Sequence, residues 1–100
     1  MMSFKVNGTI VEKIDGEMVA RVERDEVQDY SGTMIFRLES NEIKNPYKTT
    51  IAKTENGGII STSGHELARV AEARRQFDNG NHLRDVEVAA LWLWLCKGIR

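Results

Sequence analysis

One cysteine, one proline and two histidines in 100 residues leave few routes to any chemistry that needs them. Cys96 alone cannot close an intrachain disulfide, which small secreted domains often require, so a reducing, cytoplasmic setting is expected. His65, His82 and Cys96 lack the local spacing of a zinc site, and neither a metal nor a cofactor is expected. No continuous apolar stretch in residues 1–11 suggests a signal peptide. The longest apolar run, Val88 to Cys96, is about half of the roughly 20 residues a membrane span needs, so no membrane partner is expected. With 14 Lys+Arg against 15 Asp+Glu the formal charge is −1, which removes any bulk electrostatic pull toward nucleic acid or anionic lipid. Neither an internal repeat nor a low-complexity segment is evident, and no family motif is present.

What is present reads as a globular chain, with 41% apolar and 29% charged residues, in one domain spanning 1–100. The expected class is α+β: an antiparallel sheet of four to five strands over residues 1–62, then two C-terminal helices forming a hairpin over 63–98. Phe4, Val6 and Ile10 share one parity, giving a first strand interrupted at Gly8. Asp15-Gly16 turns the chain into a second strand at 17–25, with Met18, Ala20 and Val22 inward. Residues 25–32 lack alternation and read as a loop. Strands are expected at 33–39, 47–54 and 59–62, with Pro46 preceding one and Glu55-Asn56-Gly57-Gly58 turning into the last. Ser63 and Glu66 match a capping box, so a helix should run from there past Leu67, Val70 and Ala71 to Phe77. A second helix should run from His82 or Leu83 to Lys97 and end at Gly98.

That last helix has two apolar faces. Val88, Leu91, Trp92 and Leu95 fall together, while Leu83, Ala90 and Trp94 gather nearly opposite and Leu93 fills a flank. Either the helix is sandwiched between the sheet and the first helix, or Leu83, Ala90, Leu93 and Trp94 form a homodimer or partner interface.

No residue constellation specifies a reaction. No carboxylates form a defined pair, Gly57-Gly58 lacks the sequence of a phosphate loop, and Ser61, Thr62 and Ser63 read as strand-end and cap residues. A thiol in an apolar helical run is held protonated and inert. Two charged regions remain. Glu23, Asp25, Glu26 and Asp29, beside Tyr30, would make an acidic loop able to bind a basic protein surface. Arg69, Arg74, Arg75 and Arg84 cluster around the turn between the expected helices and could contact phosphate oxygens. The leading expectation is a non-enzymatic protein-binding module acting stoichiometrically, and the alternative is a nucleic-acid-binding regulator using those arginines. In size and style the chain resembles the accessory and anti-defence proteins of bacteriophages, a likeness that rests on no motif. It implies an inhibitor that blocks a basic surface of a host protein or nucleoprotein complex.

Overall fold

A computed structural model describes residues 3–99. The chain forms ten short strands: β1 (Phe4–Asn7), β2 (Ile10–Lys13), β3 (Met18–Glu23), β4 (Glu26–Asp29), β5 (Met34–Glu39), β6 (Glu42–Lys44), β7 (Thr50–Glu55), β8 (Gly58–Ser61), β9 (Glu66–Arg69) and β10 (Phe77–Asp78). Among the described residues two helical segments accompany them, α1 (Val70–Arg74) and α2 (Asp85–Leu91), the second continuing as a π-helical stretch, Trp92–Cys96. The strands form one sheet in the order β10-β1-β2-β3-β4-β5-β6-β7-β8-β9. Every neighbouring pair is antiparallel except β1 with β10, which is parallel.

This overturns the expectation of four to five strands followed by a helical hairpin. β6 and β10 fall outside every expected strand, and three local misreadings account for the rest of the difference. The first strand is two strands joined by a turn at Gly8, whose φ is +65°. The supposed loop at 25–32 contains β4, because Arg24 and Asp25 both take left-handed backbone (φ 52° and 62°) and close a two-residue hairpin without a glycine. The supposed helix start at Ser63 is another turn: Ser61 Oγ accepts the His65 amide at 3.2 Å, and Glu66–Arg69 pairs with β8 as an edge strand.

The structure also exposes a repeat that composition and motif spacing conceal. The ladder shifts register beside Val11, Val27, Ile43 and Ile59, each 16 positions after the last. The amides of Val22, Leu38, Thr54 and Val70 donate to the carbonyls of Thr9, Asp25, Asn41 and Gly57 with the same spacing. Gly16, Gly32, Lys48 and Gly64 each close a turn onto Lys13, Asp29, Asn45 and Ser61. One hairpin unit therefore recurs along the sheet. In the fifth unit Glu72 and Ala73 stand where Gly8, Arg24, Ser40 and Asn56 begin left-handed turns, and these good helix formers continue as α1 instead. The array stops there.

The sheet must curl. Nine inter-strand spacings would stretch a flat sheet about 43 Å at roughly 4.8 Å each, whereas the largest extent of the whole chain is 36 Å. Its two edges are also tethered, because Arg69 ends β9 and Phe77 begins β10, leaving at most about 28 Å of extended chain between them. Helix α2 lies inside this curl, contacting β4, β5, β6, β7 and α1. Val88, Ala89, Ala90, Leu91 and Leu93 are all fully buried, so the helix is enclosed on every side. The sheet supplies Val11, Val27, Phe36, Ile43 and Ile59 to the same core.

The entry to α2 is tied down at the rim that carries the two-residue hairpins. His82 Nε2 donates to the Gly8 carbonyl at 3.0 Å, and Arg84 pairs with Asp25 at 2.8 Å. The Arg84 amide donates to Glu87 Oε1 at 2.8 Å, satisfying one open donor of the first turn. At the far end the Gly98 and Ile99 amides donate to the carbonyls of Trp94 and Leu93, with Gly98 at φ 69°. This is a glycine-closed finish widened by the π turn.

Candidate binding surfaces

In a meander, successive turns alternate between the two ends of the strands. The turns at 8–9, 24–25, 40–41 and 56–57 make one rim, and those at 13–17, 29–33, 45–49 and 61–65 make the other. This geometry divides the expected acidic loop. Glu23, Asp25 and Glu26 sit at the first rim, whereas Asp29 and Tyr30 lie at the opposite end of β4. Most of that acidic charge has a partner within the chain. Asp25 Oδ1 accepts from Arg84 at 2.8 Å, and Glu26 Oε2 accepts from Arg37 at 3.3 Å. Asp29 Oδ1 accepts the amides of Ser31 and Thr33 at 2.9 and 3.0 Å and the Ser31 hydroxyl at 2.6 Å. Its carboxylate holds a turn in shape.

The arginines are similarly engaged. Arg74 donates to the carbonyls of Gly80 and Leu83 and to Asp85, each at 2.9 Å, and so fixes the chain entering α2. Arg69 pairs with Glu66 at 2.6 Å and donates to the Asn56 carbonyl at 2.8 Å. Hydrogen bonding to Asp25 raises the Arg84 pKa above its ordinary value, with Glu87 adding to the effect and partial burial opposing it. Among the described residues Arg75 alone of the four has no such bond, and one arginine does not make a phosphate-binding cluster.

The expected oligomer face is occupied by the chain itself. Leu83, Ala90 and Leu93 are buried in the chain's own core, leaving Trp94 half-buried. Trp92 is half-buried too, with Lys97 Nζ 5.2 Å from its ring centre. Cys96 is accessible, yet partial desolvation pushes its thiol pKa up, with Lys97 opposing weakly. The Ser63 hydroxyl lies 3.1 Å from His65 Nδ1 on an exposed turn. Ser61 and Ser63 share the same local network, at 2.9 Å, and it serves the turn.

The second rim carries a surface that the linear sequence did not single out. Ile14, Tyr30 and Tyr47 are 58%, 75% and 88% exposed on three successive turns of that rim. Between two of them lies a cleft of about 330 Å³ lined by Thr33, Met34, Ile35, Asn45, Pro46 and Tyr47. Its walls are stiff. Asn45 Oδ1 accepts the amides of Tyr47 and Thr49 at 2.9 and 3.0 Å, repeating the arrangement at Asp29. The only advance signal was the recurrence of turn residues at Asp15-Gly16, Ser31-Gly32 and Ser63-Gly64. The repeat escapes notice because Tyr47-Lys48 replaces the third pair.

No family model, curated protein or solved structure matches this chain. Among the described residues no helix is long and apolar enough to cross a membrane.

Proposed function

We propose that this chain is a non-enzymatic protein-binding module that acts by stoichiometric binding, in a reducing, cytoplasmic setting that suits its single thiol. The observation carrying this reading is the pair Tyr30 and Tyr47, 75% and 88% exposed on neighbouring, internally braced turns. Tyrosine offers a large contact area with a polar tip and is enriched where binding energy concentrates. Bracing by Asp29 and Asn45 lowers the ordering cost of association. The contact surface in this proposal is the tyrosine rim, because Asp25 and Glu26 already face Arg84 and Arg37. An inhibitor that covers a host protein surface remains within this class.

The test compares two variants against a partner captured from the native host and then purified. Tyr30→Ala/Tyr47→Ala should weaken binding at least tenfold, about 1.4 kcal/mol. Glu23→Lys/Asp25→Lys/Glu26→Lys should retain affinity and lose modest stability, of order 1 kcal/mol or less, because the pairs it breaks are solvent-exposed. Full affinity in the tyrosine variant, with loss in the charge-reversed one, would return the binding surface to the acidic residues.

A further inference from the structure

We infer that residues 70–76 form a strap that opens as a unit while the rest of the sheet stays folded, with Arg74 as its latch. The repeat shows what this segment replaces. After β3, β5 and β7 the chain turns at the first rim and returns to the second as a paired strand. After β9 it makes the same crossing. Arg69 lies opposite Gly58 at the first rim, and the Gln76 carbonyl receives the Ser3 and Phe4 amides where β1 begins, at the second. Here the crossing is made by α1, in the gap between the two edges of the sheet. Arg75 opposes a strand in that place. It stands 16 positions after Ile59, in the row where Val11, Val27, Ile43 and Ile59 turn fully buried side chains to the core, and a guanidinium buried there would lose its hydration.

The crossing is weakly held. Apart from the Val70 amide, which donates to the Gly57 carbonyl at 2.8 Å, no backbone hydrogen bond among the described residues joins α1 to either edge. Its five residues make little more than one turn, too short for a helix to be stable by itself, and Arg69 gives its start no side-chain cap. Burial of Val70 and Ala73 and packing on α2 keep it in place. So does Arg74, whose guanidinium donates to the Gly80 and Leu83 carbonyls and to Asp85, tying the end of α1 to the loop that enters α2. Segments with few backbone bonds to their neighbours and little buried surface are the first to open in a folded domain. An open strap uncovers the β9 edge and the flank of α2 that α1 covers.

Native-state hydrogen exchange on the full chain, followed by NMR at urea concentrations below the unfolding transition, is the test. The repeat supplies the reference, since the amides of Val22, Leu38, Thr54 and Val70 make equivalent bonds of 2.8, 2.7, 2.9 and 2.8 Å. Corrected for intrinsic rates, exchange at Val70 should be at least about tenfold faster than at the other three and less steeply dependent on urea, with Arg75 and Gln76 sharing its slope. Arg74→Met keeps an apolar stem and removes the latch, so it should speed exchange at Val70 by at least about tenfold more. Equal rates and equal slopes at all four repeat positions would mean that the segment opens only when the whole chain unfolds, and would overturn the inference. An unchanged Val70 rate in the Arg74→Met chain would overturn it as well. Where that variant does not fold, the comparison within the unmodified chain decides.

Discussion

Arg24 shows how a single residue carries the repeat against its own preference. Its φ of 52° puts a long side chain with a Cβ in left-handed backbone, where Gly8 and Asn56 serve the equivalent turns. Arg24→Gly should relieve that cost and raise stability by about 0.5–1 kcal/mol, less whatever the more flexible unfolded chain takes back. A denaturant midpoint that falls would mean the Arg24 side chain makes a contribution larger than its backbone cost. Cys96 makes a second residue-level prediction. Partial burial favours the protonated thiol, so its contribution to stability is present below the ordinary pKa of 9.0 and declines as pH rises through the higher native value. The alkylation rate of Cys96 in the folded chain should accordingly reach half-maximum above pH 9.0. A midpoint below that value would mean that the Lys97 charge outweighs the desolvation of the thiol.

At the scale of elements, alternation identified β3 and β5, because Ala20, Val22, Phe36 and Leu38 face a shared core while Arg21, Arg37 and Glu39 stay more exposed. It failed where the turn residue was unusual. Arg24-Asp25 and Ser40-Asn41 lack the glycine signature of tight hairpins, so β4 was read as loop and β6 was missed. Glu66-Leu67-Ala68-Arg69 has helix-forming composition but pairs as a strand because Ser61, Ser63 and Gly64 turn the chain back onto β8. The two-faced apolar pattern of the last helix was legible. Closure by the sheet and the first helix was one of the two readings it offered, and only the curl of the sheet that achieves it was hidden, since that depends on the whole array. Leu93→Ala tests that closure: Leu93 is fully buried, so the substitution should cost about 2–5 kcal/mol. In a domain of this length thermal denaturation should show a fall of about 10–25 degrees at those values. A change within about 0.5 kcal/mol would put Leu93 on a surface after all.

Over the whole molecule, the repeat and the helix divide the work. Each hairpin unit brings too little apolar surface to be stable alone, and α2 gives successive units a common core to cover. Arg74 and Arg84, which a linear reading offers to phosphate, hold the loop entering that helix against Gly80, Leu83, Asp85 and Asp25. The acidic residues were legible as charges but not as internally paired charges, because Asp25 and Arg84 are distant in sequence. The rim escaped for the opposite reason: Ile14, Tyr30 and Tyr47 are separated by sheet strands and come onto one rim only when the meander folds. The most direct measurement is hydrogen–deuterium exchange on the complex with the captured partner. Slowed exchange at 29–33 and 45–49 with unchanged exchange at 23–26 is the result expected, and protection at 23–26 with none on the two tyrosine turns would contradict it.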